Sequence, residues 1–299
     1  LAGASTLSIV SGSVASFGLN TYDYATISGG TSEWFRPTLN LDNGNKPTIN
    51  ECLPLIKLTN KKEQAYGSFN NGEIIENKPI GFPQDCGKQK AYSSLFYWAH
   101  AHTAKGSTIG LHSHRGFEIV SYVLKGAIRH YDTKTDRWLQ LDEGSFQVIK
   151  SGNGISHSEE LLEDSAIFQI WFDPDLSKSL QKEAQYADYT KKVFPITSEE
   201  GIRTKTIVGE ASPVQMDSED IIIKEMSIQE SCSIQLTKDN IYSFYLVEGE
   251  LELNGQAMNK DDFALIENEE TLSIKAIKAS KLFLIQSPKT TSYKTYINS

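Results

Sequence analysis

Histidine, cysteine and methionine are all scarce in this 299-residue sequence, with six, three and three residues respectively. Cys52, Cys86 and Cys232 are an odd number without a Cys-x-x-Cys spacing. That indicates neither a disulfide framework nor a zinc knuckle and leaves free thiols, with a Cys52–Cys86 bridge the one pairing open. No P-loop, dinucleotide fingerprint or nucleophile elbow occurs, so phosphoryl, hydride and acyl transfer lack the residues that would carry them. No stretch approaches the roughly 18 apolar residues of a membrane-spanning helix, and no membrane partner is expected. Lys and Arg number 29 against 38 Asp and Glu, a net charge of -9 that argues against nucleic acid as a direct partner. The first 22 residues carry no charged side chain. Ser13-Val14-Ala15 has the small residues of a cleavage site, but a basic segment before it is missing. Export and a cytoplasmic location therefore both stay open.

The chemistry that is present is concentrated. All six histidines fall between His100 and His157. Gly110-Leu111-His112-Ser113-His114-Arg115-Gly116-Phe117-Glu118 is followed by Ser151-Gly152-Asn153-Gly154-Ile155-Ser156-His157-Ser158-Glu159. Residues i and i+2 of a strand share a face, so His112 with His114, and His157 with Glu159, each form a same-face pair. Three imidazoles and a carboxylate suit one divalent first-row ion: iron, nickel, copper, manganese or zinc. Four protein ligands leave octahedral positions open for substrate or dioxygen. A lone His-x-His on a strand is more often structural; the second pair in the same compact segment is what favours a metal. His100 and His102 form a rival pair without a preceding glycine turn and read as structural or pocket-lining residues. His130 reads as a hydrogen-bonding interior residue.

Around these segments, short apolar or alternating runs at 119–124, 127–131, 138–141, 146–149 and 166–172 are separated by turns, the rhythm of an antiparallel barrel or jelly roll. The rhythm returns over 202–287. Tyr122-Val123-Leu124-Lys125-Gly126-Ala127-Ile128 aligns with Tyr245-Leu246-Val247-Glu248-Gly249-Glu250-Leu251, and Phe146-Gln147-Val148-Ile149 with Phe263-Ala264-Leu265-Ile266. Extending that alignment sets Gln235 and Thr237 opposite His112 and His114, and Ile274 and Ala276 opposite His157 and Glu159, so the second barrel is expected to be metal-free. Leu176, Leu180, Ala184 and Ala187 recur at near-helical spacing and predict a helix over 177–190. The expected division is a loosely ordered leader at 1–46, a metal-binding barrel at 47–175, a helical linker at 176–200 and a metal-free barrel at 201–299.

Both histidine segments resemble the pirin family of bicupin proteins, whose members carry a G-x-H-P-H-x-G-F-E block and a G-x-G-I-x-H-S-E block. The likeness runs from Gly110 to Trp171, with Ser113 where proline is usual. It implies an all-β fold of two tandem cupin (jelly-roll) barrels, a bicupin, with metal ligands at His112, His114, His157 and Glu159. Many cupins use a glutamate four residues after the second histidine, here Glu118. Pirins use the later one, so Glu159 is expected on the metal and Glu118 behind an imidazole. Some pirin relatives are quercetin 2,3-dioxygenases. That implies a metal-dependent dioxygenase with Fe(II) as the first choice of ion, Glu159 as base, and dioxygen plus a flavonol or similar enolic or catecholic molecule as substrates. Other pirins act as iron-dependent cofactors of transcription proteins, which implies as the alternative a redox-responsive regulator with transcription-related protein partners.

Overall fold

Turn residues and alternating runs resolve into antiparallel strands in the computed structural model, which describes residues 55–199 and 201–295. The expected leader and Cys52 lie outside the described residues. The first half carries β1 (Leu55–Thr59), β2 (Ala65–Phe69), β3 (Ile74–Ile80), β4 (Leu95–Thr103), β5 (Ser107–His114), β6 (Glu118–Lys125), β7 (Ala127–Asp132), β8 (Arg137–Asp142), β9 (Phe146–Lys150), β10 (Ile155–Leu161) and β11 (Ser165–Phe172). After the single-turn helix α1 (Leu176–Ser179) come β12 (Gln185–Tyr189), β13 (Ile196–Glu199), β14 (Ile202–Val208), β15 (Ile222–Ile228), β16 (Cys232–Gln235), β17 (Asn240–Glu248), β18 (Glu250–Leu253), β19 (Gln256–Asn259), β20 (Phe263–Glu267), β21 (Thr271–Ala276) and β22 (Ser280–Pro288).

Each barrel is a seven-stranded sheet over a four-stranded one. The first sets β12-β9-β6-β11-β4-β3-β2 over β5-β10-β7-β8; the second sets β1-β20-β17-β22-β15-β14-β13 over β16-β21-β18-β19. The central strands of the seven-stranded sheets are buried on both faces, which explains why β6 and β17 read as nearly continuous apolar runs. In β6, Ile119 and Val123 pack inside the first barrel, while Val120 and Tyr122 face the second. Trp98, Phe146 and Phe168 join Tyr245, Phe263 and Phe283 in the core between the barrels. Trp98 lies edge-on to Phe168 and Phe263 at 5.3 and 5.7 Å between centroids.

The internal repeat holds in the pairing registers. Tyr122 pairs with Phe146 and Phe168, and Tyr245 pairs with Phe263 and Phe283. Gly126 and Gly249 make the matching turns from the larger sheet of each barrel to the smaller one, at φ of +70° and +94°. A side chain on either would collide with a serine, Ser165 or Ser280, at the matching place.

The domain boundaries differ from the sequence expectation. β1 adds to the second barrel through β20, and β12 adds to the first through β9. The helix expected over 177–190 is one turn, capped by the Asp175 side chain accepting from Ser177 N at 3.1 Å. The chain then crosses Gly152, where a Cβ would lie 2.6 Å from Lys182 O, and Gln185–Tyr189 zips onto the open edge of β9. Sheet pairing outweighs the weak helical spacing, and the linker becomes part of the first barrel.

Candidate metal centre

β5 and β10 lie side by side with His112 opposite His157 and His114 opposite Ile155. The register shifts past His157, so that Glu159 faces Ile109. Gly110 and Leu111 both point outward across this bulge, and Ile109 and His112 can both face inward although three residues apart. Ser113 is exposed between its two histidines, so the residue that departs from the pirin pattern points away from the interior.

The potential ligand nitrogens of His112, His114 and His157 all lie within 4.8 Å of one another. His114 Nε2 and His157 Nε2 are 2.9 Å apart. Two nitrogens at about 2.1 Å from one ion and at right angles would be about 3 Å apart, so this spacing suits adjacent ligand positions. Burial holds the His114 and His157 imidazoles well below the ordinary histidine range, and neighbouring imidazoles push the same way. Both are thus neutral donors. His112 Nδ1 lies 2.7 Å from Gly110 O, which as a donor contact would turn Nε2 into the free lone pair. His157 Nδ1 is buried without a partner. This donor set could hold a divalent ion.

Glu159 is fully buried, but its carboxylate groups with His130 and His157 rather than with all three other expected ligands. His157 belongs to both groups. Gln169 Nε2 donates to both Glu159 oxygens at 2.8 and 2.7 Å, and Ser121 Oγ donates at 3.2 Å. Gln169 was not singled out from the sequence. The available signal was a glutamine on the inward phase of the apolar strand β11, between Ile167 and Trp171. His130 is a hydrogen-bonding interior residue as expected: Nε2 lies 3.2 Å from Asp132 Oδ2, and Tyr186 of β12 stacks on its ring at 5.0 Å.

Glu118 does not stand behind an imidazole. Arg115, Gly116 and Phe117 interrupt the strand after His114 and carry Glu118 into the other sheet. There its carboxylate accepts from the backbone N–H groups of Asp217 and Ser218 at 2.7 and 2.8 Å and from Ser218 Oγ at 2.5 Å, tying the second barrel's long loop to the first. His100 and His102 sit at the seam between the barrels, with His100 Nδ1 3.0 Å from Tyr245 Oη, in keeping with a pocket-lining role.

An aromatic wall adjoins the histidines. Trp171 and Phe117 lie 5.1 and 5.4 Å from the His114 ring and stack on each other at 5.0 Å. Glu76 and Lys78, two apart on β3, are also buried; Tyr97 donates to Glu76 at 3.2 Å and Lys78 pairs with Asp85 at 2.9 Å. Burial pushes the Glu76 carboxyl up to about 7.

Among the described residues, the second barrel has no such set. His130 and Leu253 each follow the matching turn glycine by four residues, and the partner of His130 is Glu159 while that of Leu253 is Ile274. Leu272 then matches His157, and its partner Ile234 matches His112, with Leu236 next in phase for His114. The extended alignment had named Gln235 and Thr237, and Ile274 and Ala276. Nine residues separate Phe146 from Ile155 but seven separate Phe263 from the corresponding Glu270, and this shorter turn displaces the register by two. On the other side, the connection after β16 is one residue longer.

Family comparisons agree with this architecture. The pirin family model matches residues 78–172, and the model of the quercetinase C-terminal cupin domain matches residues 217–286. The bacterial pirin of Escherichia coli in complex with nickel(II) shares the fold at a TM-score of 0.66 and 21% identity, over 78% of this chain and 99% of that one. A Pseudomonas aeruginosa protein provisionally named a quercetin 2,3-dioxygenase is 32% identical over 178 residues, 56% of this chain and 72% of its own length. A pirin-like protein of Caulobacter vibrioides is 30% identical over 182 residues, 58% of this chain and 74% of its own. Identity sustained over more than two thirds of both relatives goes beyond a shared fold, and the chain belongs to the pirin family.

Proposed function

We propose that the first barrel holds one divalent ion, Fe(II) in the first instance, through His112, His114, His157 and Glu159, and that this centre serves a dioxygenase acting on a flavonol or similar enolic or catecholic molecule. The observation that carries the reading is the convergence of three buried imidazoles, two of them held neutral, next to a buried carboxylate. A divalent ion bound there would polarise an enolic hydroxyl and offer open positions to substrate and dioxygen. The chain's own residues supply the rest. The buried rings of Trp171 and Phe117 pack beside His114, and their bulk keeps water from that side of the imidazoles. Gln169 and Ser121 hold the Glu159 carboxylate in place by donating to it, leaving lone pairs on its oxygens to receive the substrate's hydroxyl proton. The provisional name of the Pseudomonas aeruginosa relative supports the substrate class.

Elemental analysis followed by oxygen-electrode traces with flavonols and catechols tests this reading. Glu159→Gln is expected to retain part of the metal and lose turnover by about 100-fold or more. Equal turnover in that variant removes Glu159 from the role of base. No oxygen uptake with any of the substrates, joined to redox-dependent capture of a protein partner, would turn the same centre into that of a regulator.

A further inference from the structure

Two crevices flank the seam between the barrels, and the internal repeat relates them. Tyr122 matches Tyr245, and His100, paired with Phe168, matches Glu225, paired with Phe283. Across the seam His100 meets Tyr245 Oη at 3.0 Å, and Tyr122 donates to Glu225 at 2.6 Å. One contact is thus made twice, once in each direction, and each copy adjoins a crevice.

Their charges then diverge. In the crevice beside His100, of about 340 Å³, Lys61 pairs with Asp261 at 2.8 Å and Lys125 with Asp164 at 2.6 Å, which leaves Lys260 as the one lining cation there without a carboxylate partner among the described residues. The crevice beside Tyr122, of about 330 Å³, is lined by five cationic side chains and two carboxylates. Lys205 pairs with Glu225 at 2.6 Å and Lys281 with Glu248 at 3.3 Å. Among the described residues, no carboxylate pairs with the other three cations, Lys191, Lys192 and Arg203. On a chain of net charge -9 this is a local reversal of sign, and the mutual repulsion of the three cations falls when an anion sits among them. A cavity of this size admits a small molecule, and the overall negative charge disfavours a polymer such as nucleic acid. Leu124 and Ile196 add an apolar wall, with Ile196 45% exposed.

We propose that this crevice binds a small dianion carrying phosphate or carboxylate groups on an apolar body, gripped by both barrels and by the segment that connects them. Arg203 offers a planar fork of donors to such a group, and the lysines act as point charges. The site is separate from the histidine centre, so the proposal stands or falls independently of the reaction catalysed there.

Isothermal titration of the full chain with phenyl phosphate and with phthalate separates the two anion types. Saturable binding of at least one is expected, about tenfold or more weaker in the double variant Lys191→Ala with Arg203→Ala. Lys260→Ala, in the other crevice, is expected to leave it unchanged. All three replaced side chains are exposed, and unaltered thermal melts are expected. Should the double variant melt early, Lys192→Glu alone carries the comparison with the same expected weakening. Absence of saturable binding for both probes, undiminished binding in the crevice variant, or an equal loss in Lys260→Ala overturns the proposal.

Discussion

The two barrels share a strand plan and a turn glycine, yet one interior is polar and the other apolar. Where the first carries His112, His130, His157 and Glu159, the second carries Ile234, Leu253, Leu272 and Ile274, and its core closes with Leu251 and Met258. Apolar packing alone completes a jelly roll, so the polar interior of the first barrel needs another reason. In the first barrel His130 Nδ1, His157 Nδ1 and Gln147 Oε1 are buried without partners, which disfavours the fold unless something else satisfies them. The difference locates function where packing has been given up.

Exchanging matched residues breaks or sharpens this contrast. The largest effect is expected from His157→Leu, which installs the second barrel's residue in the first. Metal content by elemental analysis should fall to background, a loss beyond the roughly 10–100-fold typical of removing a supporting residue. The reverse exchange, Leu272→His, puts an imidazole into a core with no polar partner and should cost about 3 kcal/mol in urea unfolding. Retained metal in the first variant, or an unchanged midpoint in the second, would remove the contrast. Gln169→Leu releases the Glu159 carboxylate and is expected to weaken metal binding by about 10-fold to 100-fold, read by chelator competition.

The smallest effect is a pH slope. Glu76 has its carboxyl raised by burial to about 7 from an ordinary 4.5, so the folded first barrel holds a proton there that the unfolded chain releases. The associated stability is fully present below pH 4.5 and is lost as pH rises through about 7. Glu76→Gln should flatten that part of the stability profile, by at most about 3 kcal/mol across the window. A slope that persists in the variant assigns it to another group.

Much of this was legible in the sequence, and the misses share a cause. The two-residue spacings of His112 with His114 and of His157 with Glu159 needed only the period of a strand, and the Tyr122 and Tyr245 repeat needed only alignment. Glu118 was misplaced because three residues of turn after His114 change the sheet, which spacing does not register. The residues 177–190 were misread because an exposed β9 edge, a tertiary feature, decides between helix and strand. Gln169 was passed over inside an apolar run whose two faces serve different cores.

β6 is the place where those two surroundings come closest. Ser121 reaches inward to Glu159, and the next residue, Tyr122, reaches outward to Glu225. A single peptide unit therefore separates the carboxylate of the histidine cluster from the seam between the barrels. A displacement of the strand at Tyr122 would carry along Ser121, one of the two side chains that donate to that carboxylate.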